Sequence, residues 1–383
     1  MGGSAMRILF RQIRCQPLWT MGPVVMIGLC LLSLLAGQAH GAVSIDSLYE
    51  IRVPVADQSS ARRQVAFQTA FDGTLKKLTG NSNVTHVPGV ANARQQVARF
   101  VRQFNYWELS EAERVQFGQN YLLQVHFSET LLNQVLRDNK LPIWGDDRPQ
   151  VLVWMAQEQD GQRVMVAPHE QSVERDSITA SAKSLGIPVI YPLLDFEDNG
   201  ELSVSELWGL FDEPILRASK RYRTKAILAL TTWPTGGGRW SGRSLFMLAD
   251  QVSTGNYTGA TIAELTEAVM ADIARKMSGL YAVVAGVAPE RPVRIQVDNI
   301  NNVSAYASLM QYMDDLSAVR NITPVRVSGS RVLLDVTIDG TLQQLGSAIE
   351  LGRNLKRTQP SEHTTGFDEG ESFWQPVLQY SWR

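Results

Sequence analysis

The chain reads as a multidomain protein of mixed α/β and α+β class, with mixed sheets and flanking helices. Three observations predict this. First, VLVWMAQ from Val151, IPVIYPLLD from Ile187 and AILALTTW from Ala226 are apolar runs of strand length, separated by polar segments with helical spacing. Second, the segment from Glu290 to Arg383 reads as a βαββαβ unit, the order of a ferredoxin-like sandwich. Third, 383 residues at 44% hydrophobic and 19% charged are enough for two or three domains with full cores.

The first 42 residues differ from the rest. Arg7, Arg11 and Arg14 precede an uncharged apolar block from Leu18 to Ala36, and the small-residue stretch AGQAHGA follows. That order is the order of a signal peptide, with cuts after Ala39, Gly41 or Ala42 all compatible. The block is close to the length of a short membrane span, so an uncleaved inner-membrane anchor is the alternative. Both cysteines, Cys15 and Cys30, lie in this leader, and the expected mature chain has no disulfide, thiolate ligand or cysteine nucleophile. Removing the leader takes away three positive charges and no negative ones. The balance becomes 33 minus 38, or −5, which argues against nucleic acid as the partner. The expected location is the periplasm.

Residues 43–147 are expected to form a first α+β unit. LYEIRVPV reads as a strand, and a helix after Ser59 carries Val65, Phe67, Phe71, Leu75 and Leu78 on one face up to Gly80. A second helix is expected to carry Val90, Ala93, Val97, Phe100, Val101 and Phe104. Val115 and Phe117, the turn GQN, and the alternating Tyr121, Leu123, Val125 and Phe127 predict a hairpin. Ser128 is placed to cap a helix bearing Leu131, Leu132, Val135 and Leu136, and LPIWGDDRP reads as a linker.

Residues 148–289 form the expected central unit. Asp160-Gly161 is a hairpin turn signal, a helix occupies Ser172 to Leu185, and Asp212 before Glu213-Pro214 marks a helix start. PTGGGRWSGR is the tip between two strands, and a long helix carries Ile262, Leu265, Val269, Ile273, Met277 and Leu280. In residues 290–383, VRIQVDNI, a helix with Leu309, Met313 and Leu316, the pair NITPVRV and RVLLDVTI around Ser328-Gly329-Ser330, and a helix with Leu342, Leu345 and Ile349 follow in order. A final strand alternates Trp374, Leu378, Tyr380 and Trp382, and Thr358 to Gly370 is expected as a loop.

Several stretches imitate chemical motifs. DFEDNGELSVSE places Asp195, Glu197, Asn199 and Glu206 at positions 1, 3, 5 and 12 of a calcium loop, with Gly200 at position 6. Pro188 and Pro192 spoil the entering helix, so an acidic loop leading into a helix near Ser203 is the plainer reading, and no cofactor is expected beyond this calcium alternative. GGRWSGRS has phosphate-loop spacing with Arg243 in place of lysine, but SLFMLAD after it reads as a strand, so it is a hairpin tip. Trp233 and Trp240 bracket that tip and are the candidate interaction residues, against the reading of a cross-strand packing pair. Arg217, Lys220, Arg221, Arg223 and Lys225 read as a solvated helix end. His86, His126, His169 and His363 are scattered without ligand spacing. No catalytic residue can be named.

The segments LYEIRVPVADQSSARRQVAFQTAFDGTLKKLTGN, LPIWGDDRPQVLVWMA and GIPVIYPLLDFEDNGELSVSELWGLFDEPILRASKRY, with GGGRWSGRSLFML, resemble the exported proteobacterial family called domain of unknown function 2066 over about Leu48 to Leu280. The order of elements in the central unit is also similar to the amino-terminal domain of the translocation protein TolB and to a flagellar outer-membrane ring protein. This resemblance implies an envelope interaction role without assigned residues. The functional expectation is a non-catalytic interaction or assembly module of the cell envelope with a protein partner. The alternatives are an enzyme or ligand-binding protein with a cleft between the first two units, and a calcium-stabilised module.

Overall fold

The computed structural model describes residues 48–167, 172–284, 292–352, 354–358 and 378–383, all within one compact unit, Gly41–Arg383. The leader with its two cysteines, His169, His363, Trp374 and all but the first residue of the 358–370 segment lie outside the described residues. What is described is a mixed α/β structure with eleven α-helices and several sheets.

The first sheet has three strands, β1 (Glu50–Val55), β2 (Val101–Glu108) and β3 (Tyr121–Phe127), with β3 in the centre and both neighbours antiparallel to it. Helix α1 (Ser60–Thr79) packs Phe67, Phe71, Leu75 and Leu78 against Leu123, Val125 and Phe127. It is capped by Ser59 at one end and stopped by Gly80 at φ 63° at the other.

Two expectations fail here. The second helix ends early: α2 spans Pro88–Gln95, and Val101 to Phe104 belong to β2. The apolar spacing is helical up to Val97, but β3 has an edge that only a strand can satisfy, and this tertiary pairing overrides the local period. The expected hairpin strand at Val115 and Phe117 is instead α3 (Glu111–Phe117), started by a Ser110/Glu113 capping box and ended by Gly118 at φ 63°. The Ser-x-x-Glu signal was legible and outweighs two apolar residues that are both exposed. Helix α4 (Glu129–Asp138) starts at Ser128 as expected.

The central sheet runs β10-β9-β8-β5-β6, with the two-residue β7 (Val189–Ile190) also pairing β5. Its strands are β5 (Val151–Gln159), β6 (Gln162–Met165), β8 (Ala226–Thr235), β9 (Arg239–Leu248) and β10 (Gln251–Gly259). The three apolar runs are therefore neighbours, with β5 parallel to both β7 and β8. Alternate residues of β5 go to opposite faces. Val151, Val153 and Met155 lie under α5 (Val173–Ser184) and α9 (Ile262–Tyr281), while Leu152, Trp154 and Ala156 lie under α7 (Val204–Gly209) and α8 (Asp212–Ser219). Burial on both faces explains why the run is continuously apolar, and each buried Val, Leu or Met side chain contributes about 1.5–3 kcal/mol. β10 carries too few apolar residues for its sequence to announce it.

The last sheet has the order β13-β14-β12-β16-β15, from β12 (Val293–Asp298), β13 (Val319–Ser328), β14 (Arg331–Ile338), β15 (Leu355–Arg357) and β16 (Leu378–Trp382). Helices α10 (Val303–Asp314) and α11 (Leu342–Leu351) cover one face. This is the ferredoxin-like arrangement with one added feature. The place beside β12 is taken by β16 running parallel to it, and the short β15 is displaced to the edge.

The expected linker is a structural centre. Pro142–Ile143 (β4) pairs with Val283–Val284 (β11), and Trp144 and Arg148 are both fully buried. The Arg148 guanidinium donates to the carbonyls of Lys77, Trp144, Gly145, Leu185 and Gly186 at 2.7–3.0 Å and stacks 4.0 Å from the Trp144 ring. Lys77 lies in the last turn of α1, and Leu185 and Gly186 follow the end of α5. One cation thus satisfies carbonyls left open at two helix C-termini, where the helix dipole also favours it.

Candidate functional site

The open face of the first sheet and the expected linker together wall a cleft of about 1070 Å³. Its lining includes Tyr49 and Glu50 from the β1 region, Arg102 and Gln103 from β2, His126 from β3, Glu129, Asn133 and Arg137 from α4, and Asp146 and Asp147 from the linker. Asp314, Asp315, Ser317 and Asp339 come from the last third of the chain. Val283, near the end of the expected central unit, also lines it, beside the far wall from the C-terminal segment. Linker and far wall approach closely, since a side chain at Gly145 would lie 3.1 Å from Ser317.

Seven carboxylates line the cleft (Glu50, Glu129, Asp146, Asp147, Asp314, Asp315 and Asp339), against two arginines (Arg102 and Arg137) and one histidine. Partial burial, with Asp146 and Asp315 beside it, raises the Asp147 carboxyl above the ordinary 3.8. The Tyr49 phenol donates to Asn133 Oδ1 at 3.0 Å, and burial together with Glu129 pushes it well above its usual range. Asp339 pairs with Arg320 outside this set.

The open sheet face leading into the cleft carries its own network. Trp107 Nε1 donates to Gln124 Oε1 at 3.0 Å, and Gln124 Nε2 donates to Glu50 Oε1 at 2.6 Å and contacts His126 Nε2 at 3.0 Å. The second Glu50 oxygen, Oε2, lies 3.5 Å from the same His126 Nε2. Sequence reasoning passed over Trp107, Gln124 and Glu50. The signal for them is the alternation on β3, which assigns Gln124 and His126 to the face opposite the core.

The candidate residues Trp233 and Trp240 are separated by the sheet. Trp240 stands opposite Pro234 and Trp233 opposite Ser241, so the two rings lie on opposite faces. Trp233 packs toward Trp208, 6.0 Å away, with Arg243 over its ring, and Trp240 packs against the core under α9. They do not form one aromatic surface.

The calcium-like stretch folds as two consecutive short helices. Asp195 caps α6 (Phe196–Glu201), and Ser203 and Glu206 make the capping box of α7. Arg221 holds Asp195 at 2.7 and 3.0 Å and Asp198 at 3.1 Å, and it keeps the Asp195 carboxyl down at about 2. Asn199 turns its amide nitrogen back to the carbonyls of Leu194 and Asp195. Among the described residues no group of three or more His, Cys, Asp or Glu is placed to hold a metal ion. The basic run is divided: Arg217 pairs with Glu201, Arg221 with Asp195, and Lys225 Nζ donates to the carbonyl of Glu350.

No curated protein matches the chain. Among solved structures, the selenomethionine-substituted allophanate hydrolase of Kluyveromyces lactis is similar at 10% identity and a TM-score of 0.15, covering 69% of this chain and 62% of that one. The chain thus spans less than two thirds of that protein's length, and at this score the likeness carries no argument. The resemblance to domain of unknown function 2066, with the envelope proteins attached to it, is overturned by a match to a different family model. That match covers residues 42–145, which are similar to the family described as Domain of unknown function (DUF8605).

Proposed function

We propose that this is an exported periplasmic protein of the bacterial cell envelope, acting as a non-catalytic interaction or assembly module that seats a basic segment of a protein partner in the acidic cleft. The observation that carries the reading is the charge of that cleft, seven carboxylates against two arginines in a concave wall, an acidic excess that survives the pairing of Asp339 with Arg320 and of Glu50 with Arg52. A low-dielectric wall of one sign concentrates and steers ligands of the other. The raised Asp147 carboxyl fits this: burial is the main cause, and the negative charges of Asp146 and Asp315 add to it. The Arg7 to Ala42 leader supports export, and the units 43–147, 148–289 and 290–383 form its working body. No described helix is long and apolar enough to cross a membrane.

Crosslinking in intact cells followed by capture from envelope extracts tests the proposal. A partner recovered by the wild type and lost with Asp146→Asn/Asp147→Asn/Asp315→Asn supports it. Recovery of no envelope partner, or equal recovery by the triple variant, counts against it. Cell fractionation tests the address separately, and full-length product among cytosolic enzymes would remove the export step.

A further inference from the structure

We infer that the open face of the three-stranded sheet is a carbohydrate-binding platform, with Trp107 as its stacking surface. The argument starts from strand alternation. The inward residues of β3, Leu123, Val125 and Phe127, are buried under α1, so Leu122, Gln124 and His126 stand on the other face. The register sets Glu50, Arg52 and Pro54 beside them on one side and Gln103, Asn105 and Trp107 on the other.

Trp107 is 59% exposed, yet its only polar atom is satisfied by Gln124 at 3.0 Å. The ring is therefore held in one orientation with apolar area turned to solvent. Gln124 is fixed in turn by Glu50 and His126, and Glu50 has Arg52 at 3.5 Å. A platform whose side chains are already ordered loses less entropy when a ligand arrives.

The occupant follows from the chemistry of the face. A pyranose ring offers one flat patch of C–H groups and a rim of hydroxyls that both donate and accept. The platform offers one flat aromatic and, beside it, amide, carboxylate, guanidinium and imidazole groups at fixed positions. Leu122 and Pro54 stand across from Trp107 and extend its apolar area, while the rest of the strip, Glu50, Arg52, Gln103, Asn105, Gln124 and His126, is charged, amide or imidazole and so more polar than the charge-depleted centre of a protein interface. Glu50 and Arg52 offset each other, so the strip lacks the cationic surplus that phosphate backbones require. A neutral, hydroxylated ligand with one apolar face fits these conditions. The inference does not depend on the acidic cleft that the strip enters at Glu50 and His126.

The test is calorimetric and fluorescence titration of the purified full chain with chitotetraose, cellotetraose and maltotetraose. Saturable binding of at least one is expected, unchanged by high salt. Trp107→Ala weakens it by about tenfold or more, the equivalent of about 1.4 kcal/mol, and Gln124→Ala weakens it less. Both side chains lie off the core, and an unchanged thermal midpoint confirms that the variants are folded. Asp315→Asn, in the cleft, leaves sugar binding intact whether or not the partner reading holds. Absence of saturable binding by all three sugars overturns the inference, as does binding indifferent to Trp107→Ala. A Trp107-dependent polypeptide complex in place of sugar binding overturns it equally.

Discussion

Replacing Arg148 by methionine is expected to destabilise the protein by about 3 kcal/mol. The side chain is fully buried, its five acceptors are all main-chain carbonyls, and burial lowers its basicity to about 9, which leaves it cationic at neutral pH. Methionine fills much of the volume but donates nothing. Each carbonyl left without a partner costs about 1–3 kcal/mol, while removing a buried cation that makes no direct ion pair among the described residues, with Asp146 acting on it at a distance, returns several kcal/mol. The net is therefore far below the sum of five lost bonds. At about 2–4 °C per kcal/mol, the thermal midpoint falls by about 6 °C or more by calorimetry. Arg148→Lys keeps the charge but loses the planar fork and the stacking on Trp144, and is expected to lose about half as much. Hydrogen exchange adds a local signature: the amides from Trp144 to Arg148 and around Gly186 lose protection first. A midpoint within about 2 °C of wild type for Arg148→Met would refute the idea that this guanidinium ties the ends of α1 and α5 to the chain between them.

Three further outcomes are expected. Gly186 has φ 66°, and a side chain there would lie 2.8 Å from Arg148 Nη1, whereas Gly161 has φ 75° and open space around it; Gly186→Ala should therefore cost clearly more than the roughly 1 kcal/mol of backbone strain expected for Gly161→Ala, measured by denaturant unfolding. Burial first, and Asp146 and Asp315 after it, raise the Asp147 carboxyl in the fold, so the cost of its charge is absent below the ordinary 3.8, grows as pH rises from there to the folded value and is full above it; Asp147→Asn should raise the thermal midpoint at pH 7 and lose that advantage in acid. Calcium should give no saturable heat at millimolar concentration, because Asp195 is held by Arg221 and Glu206 by Ser203; a saturable calcium isotherm abolished by Glu206→Ala would reverse this reading.

Class, strand succession and most helix starts were legible because they rest on local signals. Ser59, Ser128 and Ser172 cap helices where their spacing says they should, Asp160-Gly161 turns a hairpin, and the continuous apolar character of Val151 to Ala156 is what a strand buried on both faces requires. Tertiary partners decided the rest. Val101 to Glu108 became a strand because β3 needed a neighbour, and Trp144 and Arg148 became a buried centre because two helices happened to end beside them. Trp233 and Trp240, close in sequence and both aromatic, were parted by the pleat of a sheet. The cleft and the Trp107 platform were invisible in one dimension for the same reason: their residues come from strands, helices and turns spread between Leu48 and Asp339, and only the folded chain brings them together.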